Sequence, residues 1–587
     1  MVLAWAVLLA VVLTASRAIA LAERCGDASP VALDRAAVET VTWFEANQRS
    51  DGTWLYQFEP EDGTDFGGYN WVRHAGVLYA LELAAERGID AARPIADRGW
   101  AAVEPQLVRF GDRTGLRDGQ LLTTGGTSLL VVALTDRRAA LRARGDAPGA
   151  ALDERIEALG RFLLDRVEPD GLVDEDTDPD TGVSRPQSFS KFTTGEAMFA
   201  LARIERELPG RGYGDAARRI GRYLVTERSA REGYDTDFSE HWGAYGFATL
   251  AALPNAPRLT DLEARWARRQ MWLAGVQIRF DSQRTNRGVN VVLRGHQAPA
   301  SGIGTVGEAL GSWARLAALE PPLASTRGWL ADRLACNAGV LTERQATAED
   351  AAQYPDPTMV RGAFLYGGVL RMDDQQHALA AILGARASPD GRPLPKRMPV
   401  PESAVLALLV ALVAMNPLRI AEGARRLGVH HVGTVAGGVG VSTAVLGVVA
   451  VAGGAVLDQL QVSIGSAMIA AGAVLVAATL MSLLFHRRHV SAFECTPASM
   501  FVPTAIPLTL RPELLVLSLV MGAGGRGLVF VAGLVVGAAV AIAAAWVAEK
   551  RQASGAVLAM VDWVVRAVEL AAIALAIAVI AEGVQAI

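Results

Sequence analysis

Two hydrophobic rhythms divide this chain. From about residue 30 to 385, apolar residues recur at helical spacing and β-branched alternation is scarce. Amphipathic, Arg-rich helices such as Leu152–Val167 and Asp215–Glu227 alternate with helices rich in Ala and Leu almost all round. The second kind recurs every 50 to 70 residues or so, mostly after a glycine: Gly76-Val-Leu-Tyr, Gly126-Thr-Ser-Leu, Gly195-Glu-Ala-Met, Gly243-Ala-Tyr-Gly and Gly307-Glu-Ala-Leu, with Gln376-His377-Ala-Leu lacking it. Beyond Pro401 the pattern stops. The chain to Ile587 is nearly all Ala, Val, Leu, Ile and Gly, with charges gathered in short knots. Runs of about 18 or more apolar residues predict bilayer-spanning helices.

Six such segments are expected, at 402–418, 432–456, 463–485, 498–520, 527–547 and 557–581. The links after the first, third and fifth carry Arg419, Arg425, Arg426, Arg487, Arg488, Lys550 and Arg551, whereas the others carry only Arg526. The positive-inside rule then places the odd links in the cytoplasm and the preceding domain outside it. The Pro-rich stretch 386–401 reads as the linker between the halves. Proline inside a membrane helix frees a backbone carbonyl, and broken helices at matching places in two three-helix halves point to a solute site. Asn416 and Pro417 interrupt the first segment, and Pro503, Pro507, Arg511 and Pro512 the fourth.

Those residues carry a resemblance. The Asn-Pro and the P-x-A-I-P-L-x-x-x-P run resemble the MarC family of the LysE-type exporter superfamily, as does the small-residue third helix with Ala470-Ala471-Gly472-Ala473. The resemblance implies six helices and movement of a small polar solute. Arg511 stands where that family has glycine, which puts its substrate class in doubt.

In the first half, six inner helices alternating with amphipathic outer ones predict a closed (α/α)6 toroid, with an open helical solenoid as the alternative. The pattern resembles six-hairpin glycosidase-like and glucuronyl-epimerase-like proteins, whose inner helices begin at a carbohydrate-binding funnel. The segments before those helices hold the candidate chemistry. Asp237, Glu240, His241, Glu308 and Glu196 are the candidate catalytic residues. Paired carboxylates serve glycoside cleavage, and a His–carboxylate pair serves proton removal in a lyase or epimerase. Trp54, Asp65, Tyr69, Arg73, His74, Trp242, Arg294, His296, Asp373 and His377 are candidate sugar contacts, offering ring faces and hydroxyl partners. Against this, Glu196 and Glu308 suit helix starts as amide caps, and His241 and His377 suit a hydrogen-bonded core.

Residues 1–22 pair a short apolar run with an Ala20-Leu21-Ala22 site and read as a signal peptide or an anchor helix. In an exported domain Cys25 and Cys336 are the only pair available for a disulfide. No Cys/His cluster suggests a metal, no cofactor motif stands out, and a net charge of −5 without a basic tract argues against nucleic acid. The expectation is an all-α protein of the bacterial cytoplasmic membrane: an exported saccharide-binding or saccharide-processing toroid, residues 23–385, fused to a six-helix transporter-like domain, residues 402–587. The alternatives are a membrane-anchored glycan-active hydrolase, lyase or epimerase, and a transporter with a non-catalytic helical module.

Overall fold

The computed structural model describes residues 23–233, 240–285 and 295–387, and in the apolar half Asn416, Ile420, 432–459, 464–485, 511–523, 527–550 and scattered positions between 564 and 579. The chain forms two compact units. One contains 23–282 and 297–397, and the other contains the apolar half.

Among the described residues, twelve long helices build the first unit. The odd-numbered ones are outer: α1 (Pro30–Ala46), α3 (Ala92–Val103), α5 (Ala150–Leu164), α7 (Tyr213–Thr226), α9 (Asp261–Asp281) and α11 (Arg327–Arg344). The even-numbered ones are inner: α2 (Trp71–Glu86), α4 (Thr124–Ala143), α6 (Thr193–Glu207), α8 (His241–Ala251), α10 (Ala300–Leu319) and α12 (Met372–Arg386). Each inner helix packs on the next, and α12 returns to α2, so the ring is closed. An open solenoid would leave the first and last inner helices apart. Outer α7 buries one stripe, Tyr213, Ala216, Ala217, Ile220, Tyr223 and Leu224, at helical spacing. Inner α8 buries His241 through Leu250 without a break.

The unit is not wholly helical. Segments ahead of inner helices pair into two small antiparallel sheets. β1 (Gln57–Glu59) and β2 (Thr64–Asp65) join β7 (Leu365–Tyr366) and β8 (Val369–Arg371), while β3 (Leu107–Phe110), β4 (Arg113–Asp118), β5 (Leu121–Thr123) and β6 (Asp176–Thr177) form the second. Strands of two to six residues are too short for a period-two signal to stand out, which is why a purely helical reading missed them.

Charged side chains are buried where several partners converge. Glu82 is fully buried on α2 and accepts Trp100 Nε1 at 3.0 Å, Arg93 Nη1 at 2.8 Å and Arg137 Nε at 2.8 Å, tying α2 to α3 and α4. Glu82→Ala would leave Arg93 without its counter-charge and Arg137 with Asp97 alone. The expected loss is about 3–5 kcal/mol of unfolding free energy, measured by denaturant titration of the full chain. At the start of the unit Glu23 is held by Arg279 of α9 and Arg333 of α11, both at 2.6 Å, and Cys25 forms a disulfide with Cys336 of α11.

In the second unit the described helices are α13 (Val432–Gln459), α14 (Ile464–Phe485), α15 (Pro512–Ala523) and α16 (Gly527–Lys550). Val432–Leu457 and Gly527–Trp546 are long and apolar enough to cross a bilayer. The expected spans at 402–418 and 557–581, the first part (498–510) of that at 498–520, the segment 1–22 expected as a leader and most of the linker 386–401 lie wholly or largely outside the described residues.

Candidate active site

The inner helices all begin at one end of the ring, so their first turns and the preceding loops share one mouth. Glu308 of α10 and His377 of α12 meet there. His377 Nδ1 lies 2.7 Å from Glu308 Oε1, and Tyr245 of α8 donates its hydroxyl to Glu308 Oε2 at 3.1 Å. Gly304 makes this approach feasible. A Cβ at that position would sit 2.5 Å from the His377 carbonyl carbon, so any side chain would push α12 off α10. Asp374 supports the register by accepting the Ser301 amide at 2.7 Å across the same helix pair.

Burial alone would lower the pKa of His377. The Glu308 carboxylate and its hydrogen bond outweigh that and, with Asp373 and Asp374, raise it above the ordinary imidazole value. Its side chain is 15% exposed, whereas that of Glu308 is fully buried. The Gln376 amide lies 3.0 Å from the other ring nitrogen. With the amide oxygen turned to the ring, both N–H groups of an imidazolium have acceptors.

His241, first residue of α8, is the counterpart. Its ring centre is 5.9 Å from that of His377 and 4.6 Å from that of Trp242, with Phe192 6.0 Å away on another side. It is 1% exposed, yet neither ring nitrogen has a hydrogen-bond partner among the described residues. Burial, reinforced by the charge of His377, pushes its pKa well below the usual range. A core histidine would be satisfied; this one keeps a free lone pair beside a neighbour whose pKa is raised.

A second cluster occupies the starts of α6 and α8. Glu240 caps α8 by accepting the Gly243 amide at 3.1 Å and pairs with Arg228. Glu175 takes the Gly125 amide at 3.1 Å and the Thr193 hydroxyl. Glu196, buried in the first turn of α6, does not cap that helix. Burial, then the charges of Glu175 and Glu240, raise its pKa well above the carboxylate range.

Several expected contacts lie elsewhere. Trp54 is fully buried and donates to the Phe44 carbonyl at 3.1 Å, and His74 bridges Tyr69 Oη (2.7 Å) and the Gly99 carbonyl (2.9 Å). Burial lowers the pKa of His74 to about 4. These residues bind α1, α2 and α3 together rather than face a ligand. Trp242 is likewise buried, stacked near Phe199. Asp65 pairs with Arg49 on the exposed β2 hairpin. Arg73 contacts Tyr56 and lies 3.4 Å from Asp373, which also pairs with Arg371 at 2.9 Å, so these side chains form a rim beside His377. His296 is exposed, and Asp237 and Arg294 lie outside the described residues.

Tyr245 was not foreseen. Its place four residues after His241, on the same face of one helix, is the signal that could have found it. The donor atoms of His241, Glu308 and His377 lie within 4.8 Å of one another. Two imidazoles and one carboxylate also suit a divalent metal, a convergence invisible in the linear pattern. The first His377–Glu308 contact is already a direct hydrogen bond, which suits proton transfer. In the apolar half Asn416 is buried with left-handed backbone (φ 44°), and the backbone carbonyl of Arg511 accepts the Leu514 amide at 3.0 Å at the start of α15. Pro512 is the first residue of that helix, while Pro417, Pro503 and Pro507 lie outside the described residues.

No family model and no curated relative matches this chain, so the MarC resemblance has no support beyond its residues. Among solved structures it is similar to a D-mannose isomerase (11% identity, 61% of this chain and 98% of that one, TM-score 0.42). It is also similar to a sugar epimerase from a ruminal bacterium (10%, 60% and 98%, TM-score 0.40) and to a family 76 α-mannanase from Bacteroides thetaiotaomicron (12%, 60% and 95%, TM-score 0.39). At these scores the likenesses fix neither fold nor activity, and the closed helix ring and its side chains stand on their own.

Proposed function

We propose that the toroid is a carbohydrate-active enzyme working by proton transfer, an isomerase or epimerase in reaction class, held at a membrane by the apolar half. The observation that carries this is the unpartnered, buried His241 beside the Glu308-held His377. Environments that push two titratable groups apart assign their roles. His241, neutral at neutral pH, removes the proton from the carbon next to a sugar carbonyl. His377, still protonated, gives its proton to the carbonyl oxygen, and Glu308 stabilises the charged ring. Return of the proton to the former carbonyl carbon, with the neighbouring hydroxyl giving its own proton back to His377 as the new carbonyl forms, gives the isomer. Return to the original carbon from the opposite face, with the first hydroxyl giving its proton back to His377, gives the epimer. Arg73, Arg371 and Asp373 are placed to bond sugar hydroxyls. The Cys25–Cys336 disulfide favours an extracytoplasmic location.

The second reading is glycoside hydrolysis, favoured by Glu196 as a neutral acid beside charged carboxylates. One experiment separates the two. The full chain in detergent is incubated with aldoses and short oligosaccharides in deuterated water. Expected is deuterium at the carbon beside the carbonyl, lost in His241→Gln and His377→Gln, retained in Glu196→Gln and insensitive to chelator. Shortened saccharides that disappear with Glu196→Gln would establish hydrolysis instead. Inhibition by chelator would make the three donors a metal centre. Transport keeps Asn416 as its candidate, and unchanged solute flux in vesicles carrying Asn416→Ala would remove it.

A further inference from the structure

The ring carries a cavity at the end away from the mouth. Inner helix α8 starts at the mouth with His241, and Phe247 and Leu250 near its other end form an apolar wall of that cavity. The loop that follows supplies Arg258 and Leu259, and outer helix α7 supplies Arg218, Arg219 and Arg222. The space is about 460 Å³, within the range of small-molecule sites. Its loop wall is pinned in place. Arg258 donates to the Leu319 carbonyl at 2.6 Å, the Leu259 amide reaches Glu320 at 3.4 Å, and Thr260 caps α9.

The lining is unevenly charged. Four guanidinium groups face it with two carboxylates, Asp215 and Glu263. Both carboxylates are engaged, Asp215 with Arg218 at 2.7 Å and Glu263 with the Thr260 amide and hydroxyl at 2.8 Å. Glu320, buried behind Arg258 at 3.8 Å, is a third, and the balance is still positive by one. Arg219 and Arg222 have no carboxylate partner among the described residues. The Nε of Arg219 is buried there without a hydrogen-bond partner, which costs free energy. Arg222 also follows Arg218 by four positions and Arg219 by three, spacings at which like charges on a helix repel. An anion between these side chains would relieve both costs.

The lining also narrows the kind of anion. The planar fork of arginine matches the oxygens of a phosphate, and two unpaired guanidinium groups match its two charges. The wall of Phe247 and Leu250 suits an organic body rather than a hydrated ion. A polyanion such as nucleic acid would need a basic tract beyond this enclosed space.

We infer that this cavity binds a small phosphate monoester, its phosphate between Arg219 and Arg222 and its organic part against Phe247 and Leu250. The site lies at the opposite end of the ring from Glu308 and His377, and it does not depend on the catalytic reading.

The test is calorimetric titration of the full chain in detergent with phenyl phosphate and with inorganic phosphate. Expected is one phenyl phosphate per chain, bound about tenfold or more tighter than inorganic phosphate. Arg222→Gln, a change on an exposed side chain that leaves the melting temperature in place, should weaken it by about tenfold. Adding Arg219→Gln should weaken it further, whereas His377→Gln at the mouth should leave it unchanged. Absence of saturable binding at millimolar phenyl phosphate overturns the inference. So does affinity that ignores both arginine changes, or that falls in His377→Gln, because the ester then sits elsewhere. Equal affinity for the two probes overturns it as well, since the apolar wall then holds nothing.

Discussion

His377→Gln is expected to lower sugar turnover by about 10²–10⁴-fold, the usual contribution of one positioned acid–base group, with little change in the melting temperature. Glutamine retains a hydrogen bond to Glu308 but carries no transferable proton. The pH dependence supplies the sharper check. His241 acts as a neutral base, so activity rises as pH passes its pKa, well below the free imidazole value of 6.5. His377 acts as the acid and its pKa is raised above 6.5, so activity falls only where that proton is lost. The profile is a bell with its alkaline limb above the ordinary histidine value. Glu308→Gln removes the charge that raised His377, so this limb moves to lower pH, a shift that a merely structural role would not produce. If the limb stays in place, Glu308 does not hold the acid.

The ring was legible because an inner helix of a toroid is buried on nearly all sides. Ala and Leu therefore run around α8 and α12, whereas α7 shows one stripe. The members of the site were legible as residues but not as a group. Glu308 and His377 are 69 positions apart, and their meeting depends on Gly304 allowing two helices to touch. Depth was the property least visible. Trp54 and His74 have the same composition as a sugar-binding rim, and only their bonds to the Phe44 and Gly99 carbonyls place them in the core. Partners also decided between roles of like residues: Glu240 caps α8 and pairs with Arg228, while Glu196, similarly buried one helix earlier, makes no cap and has its pKa pushed up by burial and by the neighbouring carboxylates.

Reduction of the Cys25–Cys336 bond is expected to destabilise the toroid more than any single surface change. The bond joins residues 311 positions apart, and constraint of so long a loop in the unfolded chain is worth up to about 5 kcal/mol. Its effect is compounded because the same few residues hold Glu23 between two arginines that otherwise repel each other on α9 and α11. Once the bond opens, the segment from Glu23 to Ser29 is free to leave, and Arg279 and Arg333 then lack a counter-charge. Calorimetry of the full chain with and without reductant should therefore show a fall on the order of 5 °C or more. Cys336→Ala should reproduce it, and reductant should add nothing to that variant. Glu23→Gln combined with reduction should cost less than the two separate losses summed, because both act on one clamp. An unchanged melting curve on reduction would mean that the two thiols are not joined in the folded protein. The clamp would then rest on Glu23 alone.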